Sequence, residues 1–387
     1  MSRKSFYLVL AIAVVMGTFA DSSAQKKRMR DYGLSYGVFK TGKYNAITDV
    51  AGVTVGQVTL NQGDDMRTGV TAILPHQGNI FRKKVPAAIY LGNGFGKLAG
   101  YSQVKELGNI ETPIILTNTL SIASGLDGLI TYTINQPGNE NVRSVNGVVG
   151  ETNDGGLNNI RARYVKPEHV LQAISQAKGG PVDEGCVGAG TGTICFSWKG
   201  GIGTSSRVLP ANLGGYTIGV LVQTNYGGIL EICGVEVGRK LGDYSYRKSV
   251  ENKAYKEEEE KKGDGSCMIV VATDAPVDAR QLERMAKRAF MALAKTGSFA
   301  SNGSGDYVIA FSANPDNFVE GEETHTVKVL DNDQMSPLFA ATVEATAEAL
   351  WNSLFAAETT KGVGGKVVEA LPVEKVVKMI KKEKGIK

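Results

Sequence analysis

Lys261-Lys262-Gly263-Asp264-Gly265-Ser266-Cys267-Met268-Ile269-Val270-Val271-Ala272 is the stretch that decides how this chain is read. On its N-terminal side, Lys253 to Lys262 holds eight charged residues in ten, the composition of a solvated, flexible segment. On its C-terminal side, Met268 to Ala272 is a short continuous apolar run, the mark of a buried strand. A serine stands at the junction, preceded by glycine. If the Gly265–Ser266 bond breaks, Ser266 becomes the first residue of a new chain and gains an α-amine with a pKa of about 7.7–8.0. Such an amine is partly neutral near pH 7 and can act as general base for the hydroxyl of its own residue. Glycine before the bond lets Oγ approach the carbonyl. The residues alone leave a second reading open, an ordinary Gly-Asp-Gly-Ser turn.

Working outward, the C-terminal part opens with a helix. Leu282, Met285, Ala286, Ala289, Phe290 and Leu293 recur at helical spacing on one apolar face. Tyr307 to Ser312 reads as a strand. Ser336-Pro337 reads as an N-cap with proline at the first helical position, starting a helix to about Ala357. Val373 to Lys382 is a last amphipathic helix. On the N-terminal side, Tyr32 to Gln57 and Arg67 to Leu74 read as strand-like runs with turns. Val85 to Leu91 and Ile114 to Asn118 are strand candidates, Ser121 to Ile134 and Pro167 to Ala177 helices, and Val187 to Gly228 glycine-rich strands and loops. Strands clustered around a few long helices, with no internal repeat, point to α+β layers and not to a regular βαβ alternation.

The chain has 387 residues and a net charge of +4. Arg3 and Lys4, then an apolar stretch from Phe6 to Ala20 and the small residues Ser22-Ser23-Ala24, read as a cleavable signal peptide over residues 1–24. The apolar core is too short to span a bilayer, so the expected location is periplasmic or secreted, with no membrane attachment once the signal is removed. Its removal takes away Arg3, Lys4 and Asp21 and leaves +3, no electrostatic footprint for nucleic acid. Gln25 to Arg30 then reads as a basic mobile tail. The four cysteines, Cys186, Cys195, Cys233 and Cys267, form no C-x-x-C pair and read as small buried residues. His76, His169 and His325 show no metal-ligand spacing and read as surface or capping residues. The run Gly188-Ala189-Gly190-Thr191-Gly192 lacks the lysine of a phosphate-binding loop and reads as a structural turn.

Several longer motifs occur in a fixed order: Asn45 to Gly56 (NAITDVAGVTVG), Arg67 to Pro75 (RTGVTAILP), Gly92 to Lys97 (GNGFGK), Gly190 to Thr193, Gly200 to Arg207 (GGIGTSSR), Val222 to Gly227 (VQTNYG), Gly265-Ser266 before Val270 to Pro276, and Asn302 to Asp306 (NGSGD). Together they resemble the L-aminopeptidase/D-esterase and β-peptidyl aminopeptidase family, self-processing serine hydrolases of the N-terminal-nucleophile type. The likeness runs from about Tyr32 to Leu371 and favours the self-cleaving reading over the turn.

The resemblance implies a four-layer αββα sandwich, one composite catalytic domain over residues 25–387, built from a large chain, 25–265, and a small chain, 266–387. It implies an exported serine aminopeptidase that releases N-terminal residues from small peptides, amides or esters through an acyl-enzyme, with no cofactor or metal, as a homo-oligomer of two-chain units. Residue by residue, Ser266 matches the nucleophile and Gly265–Ser266 the cleavage site. Ser304 and Asp306 match the pair that supports its amine, Asn225 the oxyanion donor, and Glu151 the carboxylate that holds the substrate's free ammonium. Asn153, counted with Glu151 among the substrate-binding residues, stands where some members carry a tyrosine as second oxyanion donor, a departure from the family's pattern. Two rival readings are an acyltransferase resembling the ornithine acetyltransferases, which use threonine where Ser266 stands, and a non-catalytic periplasmic binding protein that kept the fold.

Overall fold

The computed structural model describes residues 26–251, 265–321, 324 and 326–386. The signal-peptide stretch, the charged run from Lys253 to Lys262 and His325 lie outside the described residues. The strands are β1 (Thr54–Gln62), β2 (Met66–Leu74), β3 (Val85–Gly94), β4 (Leu98–Ala99), β5 (Asn109–Ile110), β6 (Ile114–Asn118), β7 (Val148–Thr152), β8 (Ile194–Cys195), β9 (Trp198–Lys199), β10 (Ile202–Val208), β11 (Thr217–Asn225), β12 (Ser266–Thr273) and β13 (Gly305–Ser312). The principal helices are α1 (Tyr101–Leu107), α2 (Ile122–Ile134), α3 (Pro167–Ser175), α4 (Ala279–Lys295), α5 (Ser336–Phe355) and α6 (Val373–Lys384).

Two sheets stack face to face. One has the order β1-β2-β6-β7-β4, the other β10-β11-β12-β13-β3-β5. Ladders β6–β7 and β12–β13 are parallel and the other pairings antiparallel. The inter-sheet core joins Ile73, Leu116 and Val148 of the first sheet to Leu221, Val270 and Ile309 of the second. The outer face of the first sheet packs on α2 and α3 through Val70, Ile115, Leu129 and Val170. The outer face of the second packs on α4 and α5 through Val220, Cys267, Leu282 and Leu350. The result is a four-layer αββα sandwich.

Every residue of β12 is buried. Cys267, Ile269 and Val271 turn to the helices, and Met268, Val270 and Ala272 to the facing sheet. A strand covered on both faces carries the unbroken apolar run that the sequence shows. α4 begins on a capping box: Gln281 N–H donates to Asp278 Oδ1 at 2.7 Å, and Asp278 N–H to Gln281 Oε1 at 3.3 Å. Its buried face is Leu282, Met285, Ala286, Ala289 and Leu293, as the spacing predicts.

Three expectations are corrected. The segment from Lys26 to Arg30 is docked, not mobile. Met29 is fully buried. Arg28 pairs with Glu184 at 2.6 Å and donates to the Asn45 carbonyl at 2.8 Å, and Arg30 pairs with Glu348 on α5 at 2.6 Å. Glu348 also pairs with the fully buried Arg207 at 2.8 Å, so these cations answer carboxylates that are distant in sequence. Strand structure starts only at Thr54; the preceding stretch is turns, because Asp49 accepts from Tyr44 N–H at 2.9 Å and Ala46 N–H at 3.1 Å and coils the chain on itself. Ser336 does not cap α5. It lies inside the first turn, Met335 holds the cap position without a side-chain bond, and the helix ends at Phe355.

Candidate active site

Ser266 opens β12, in register with Asn225 of β11 on one side and Gly305 of β13 on the other. Its hydroxyl donates to the Gly265 carbonyl oxygen at 2.5 Å, and the same oxygen accepts from Gly305 N–H at 3.1 Å. A Cβ at Gly265 would lie 2.7 Å from Tyr226 Cα, and one at Gly305 would lie 2.4 Å from Gly96 Cα and 3.3 Å from Ser266 Oγ. Both positions therefore admit only glycine, and Gly305 leaves open the space beside the hydroxyl.

Asp306 stands opposite Cys267 in the parallel ladder. Ser304 Oγ donates to Asp306 Oδ1 at 2.8 Å. Asp306 Oδ2 is buried with no hydrogen-bond partner among the described residues. Burial pushes this carboxyl up to about 6, against the pull of the Ser304 hydroxyl and the Cys267 backbone. An unsatisfied buried oxygen of this kind is costly and calls for an explanation. Asn225 ends β11 with its Oδ1 accepting from Ile194 N–H at 2.9 Å, so its NH2 side is turned away from that bond.

Glu151 comes from the other sheet, on β7, and is 1% exposed. Its Oε1 accepts from Lys97 N–H at 2.9 Å and its Oε2 from the Thr119 hydroxyl. Burial raises its pKa, opposed by those two bonds and by the Lys97 charge. Gly96 ties it to the serine: a Cβ there would lie 3.2 Å from Glu151 Oε1 and 2.8 Å from Gly305 Cα. Tyr307 fixes Gly96 by donating from its hydroxyl to the Gly96 carbonyl at 2.9 Å. A cleft of about 410 Å³, lined by Leu91, Leu98, Tyr101, Ile122 and Tyr307, opens beside Gly96 and Lys97.

The structure thus gathers Ser266, Gly265, Ser304, Asp306 and Asn225 at one end of the second sheet, with Glu151 across two glycines from them. It leaves Asn153 outside: that side chain is exposed and its Oδ1 accepts from Gly155 N–H at 2.9 Å, closing a surface turn. Lys97, Thr119 and Tyr307 carried no expected role in the sequence. Lys97 bonds Glu151 through its backbone N–H and adds its charge, and Thr119 meets Glu151 only through tertiary structure, so no local signal marks either.

His76 and His169, which show no metal-ligand spacing in the sequence, have structural partners. His76 Nδ1 accepts from Gly78 N–H at 3.0 Å, and His169 Nδ1 accepts from Lys166 N–H at 3.0 Å at the start of α3. The Gly188–Gly192 run packs tightly, since a Cβ at Gly192 would lie 2.0 Å from the Arg67 carbonyl oxygen. All four cysteines are free thiols, three buried and Cys186 half-buried. Among the described residues no cluster of His, Cys, Asp and Glu is arranged to hold a metal ion, and no helix is long and apolar enough to cross a membrane.

Comparison with known proteins gives this geometry its setting. The model of peptidase family S58 matches residues 45–368. The chain is 40% identical over 376 residues to the β-peptidyl aminopeptidase BapA of Sphingosinicella microcystinivorans, covering 93% of both chains. Among solved structures it is similar to the PH0078 protein of Pyrococcus horikoshii OT3, with a TM-score of 0.83 and 44% identity over 92% of this chain and 99% of that one. It is also similar to the L-aminopeptidase D-Ala-esterase/amidase of Ochrobactrum anthropi, with a TM-score of 0.81 and 32% identity over 92% and 99%. That enzyme is described as a prototype for the serine aminopeptidases and a new variant of the N-terminal-nucleophile hydrolase fold. The chain belongs to peptidase family S58 and is a peptidase of the aminopeptidase kind.

Proposed function

We propose that this protein is an exported aminopeptidase that cuts its own chain between Gly265 and Ser266 and then uses Ser266 as nucleophile. The observation that carries the reading is the head of β12, where the Ser266 hydroxyl touches the Gly265 carbonyl while Gly305 N–H holds that carbonyl from another side. In the first reaction Oγ attacks the Gly265 carbonyl carbon and the C–N bond breaks, leaving an ester on Oγ and a free amine on Ser266. Water then hydrolyses the ester, releasing Gly265 as a carboxylate. The new amine is the base for the second reaction. It takes the proton of Oγ as Oγ attacks a substrate carbonyl, and passes that proton to the leaving amine. Water finally releases the acyl group.

The other residues take roles that suit their surroundings. The NH2 of Asn225 donates to the oxyanion. Asp306, with one orphaned oxygen, receives the new Ser266 ammonium. Glu151 pairs with the free ammonium of the substrate, and the apolar cleft beside it takes the side chain of the N-terminal residue, so the substrates are small peptides, amides or esters with an unblocked amine. Residues 1–24 act as a signal for export to the periplasm or beyond. The mature catalytic domain is built from chains 25–265 and 266–387 and works as a homo-oligomer of two-chain units.

The purified protein is expected to contain two chains, the smaller beginning at Ser266. N-terminal sequencing and intact mass decide this, and a smaller chain beginning elsewhere, or a single intact chain that is fully active, would overturn the mechanism.

Asp306 supplies a pH test on the uncut chain. Its carboxyl is raised from an ordinary 3.8 to about 6 in the folded state, so between those pH values the folded state holds more protons than the unfolded one. Stability is then lost as pH rises through this window and levels off above it. Two pH units correspond to about 3 kcal/mol at most. In an uncut Ser266→Ala background, Asp306→Asn should remove this part of the pH dependence. An unchanged slope of unfolding free energy between pH 4 and 6 would show that Asp306 is not the strained group.

A further inference from the structure

The hairpin β8–β9 turns through Phe196 and Ser197 at φ of 52° and 70°. Both lie in the left-handed region, where a two-residue hairpin turn ordinarily carries Asn-Gly, and a bulky phenylalanine there is an outlier. Strain of this kind persists only where the surroundings hold it. Here they are specific. Ile194 N–H donates to Asn225 Oδ1 at 2.9 Å, and Phe196 N–H donates to the Tyr226 carbonyl at 2.7 Å. The Phe196 ring packs edge-on against the Tyr226 ring, centroids 5.0 Å apart, and fills the space beside Gly228, whose Cβ would lie 3.0 Å from it. The other strand is anchored by Lys199, a fully buried residue. Its ammonium donates to the carbonyls of Gly190 at 2.9 Å and Gly200 at 2.8 Å, and its N–H to the Glu369 carbonyl at 2.8 Å.

We infer that the β8–β9 hairpin is the positioning element of this active site, with Phe196 and Lys199 as positioning residues. It grips Asn225 and Tyr226, the two residues that the cleavage site rests on, since a Cβ at Gly265 would lie 2.7 Å from Tyr226 Cα and 2.9 Å from the Asn225 carbonyl oxygen. The Ile194 N–H decides which end of the Asn225 amide faces the reacting carbonyl: with the oxygen held by the hairpin, the NH2 is presented as donor. A rotated amide would present an acceptor to a developing negative charge. The strained turn places Ile194 and Phe196 so that both N–H groups reach the Asn225-Tyr226 pair at once. One device therefore serves two reactions, the cut at Gly265 and the turnover of substrate.

This inference rests on Asn225 being the oxyanion donor, and the test separates the two. Phe196→Ala and Lys199→Met are made in the full chain beside Asn225→Ala. Ile174→Ala on α3, under the other sheet, is a comparison variant for loss of packing alone. Turnover of an aminoacyl amide, the rate of appearance of the Ser266 chain and the midpoint of thermal unfolding are measured for each. Asn225→Ala should lose roughly 10²- to 10³-fold in kcat. The two hairpin variants should each lose at least tenfold in kcat with KM within twofold of the parent, and should slow the self-cut by a similar factor. Ile174→Ala should do neither at an equal loss of midpoint. If one hairpin variant does not accumulate, the other carries the test. Hairpin variants that keep parental kcat while Asn225→Ala loses it overturn the positioning role alone. An Asn225→Ala that keeps parental kcat overturns the oxyanion reading and the inference with it. A fall in Ile174→Ala equal to that of the hairpin variants also overturns the inference.

Discussion

Ser266→Ala is expected to stay a single uncut chain, to fold, and to show no peptidase activity. The hydroxyl is used twice under the proposed mechanism, first on the Gly265 carbonyl and then on the substrate, so its loss removes both reactions together. It also prevents the α-amine from forming, and with it the general base of the proposed mechanism. Folding should survive. The substitution removes one short side chain whose hydrogen bond among the described residues is to the preceding carbonyl, creates no large cavity, and leaves the ladder to Asn225 and Gly305 in place. Intact mass, thermal unfolding and turnover of an aminoacyl amide check the three parts. Ser266→Cys is the finer probe, because a thiol is the stronger nucleophile: slow self-cleavage with little peptidase activity is the expected result. Cys267 cannot stand in for the missing group. It is fully buried on the helix side of β12, in the core with Cys195 and Val220, and burial holds its thiol well above the ordinary cysteine range. A Ser266→Ala chain still cut at Gly265 would mean that another protease makes the cut. A chain uncut but fully active would place the nucleophile elsewhere.

The parts of this protein that could be read from sequence are those whose pattern is local. β12 and β13 are apolar runs buried on both faces, and α4 repeats its apolar positions over four turns between a capping aspartate and a lysine. Gly265-Ser266 stands out in the sequence because the change from charged segment to apolar strand is abrupt, and Ser266 does open the buried β12. What stayed hidden depends on partners far along the chain. β7 is five residues with a glycine and a glutamate in the middle. It is a buried strand only because Lys97 N–H and Thr119 satisfy Glu151. Arg28 and Arg30 look like a solvated tail until Glu184 and Glu348 are placed against them. The turn at Phe196 gave no warning either, since phenylalanine is among the last residues expected in a left-handed turn. The residues proposed for the site were picked out through the family likeness, but the bonds that hold Asn225 and Glu151 had no local signal.

Glu151→Gln is expected to abolish the preference for a free amine. In the proposed complex the substrate ammonium and the Glu151 carboxylate are both withdrawn from water, and the carboxylate is already oriented by Lys97 N–H on one oxygen and Thr119 on the other. Each oxygen keeps a lone pair for the incoming cation, a charge-assisted bond of the stronger class. Removing one partner of such a pair leaves the other charge buried without compensation, at a cost of about 3–5 kcal/mol, or roughly two to four orders of magnitude in kcat/KM. The open cleft beside Gly96 and Lys97 lets water reach the orphaned ammonium, which favours the lower end of that range. Glutamine keeps the shape and the bond from Lys97 N–H, so the fold and the self-cut at Gly265 should be retained, because that cut involves no substrate ammonium. The parent enzyme should not turn over a substrate whose N-terminus is acetylated, since the acetyl group removes the cation and leaves the raised Glu151 carboxylate facing an uncharged amide. The measurement is kcat/KM for paired free and acetylated aminoacyl amides, in the parent and in Glu151→Gln. The ratio should be very large in the parent and near unity in the variant. A parent that turns over both substrates equally, or a variant that keeps the parental ratio, would show that the selection of free N-termini is made by another residue.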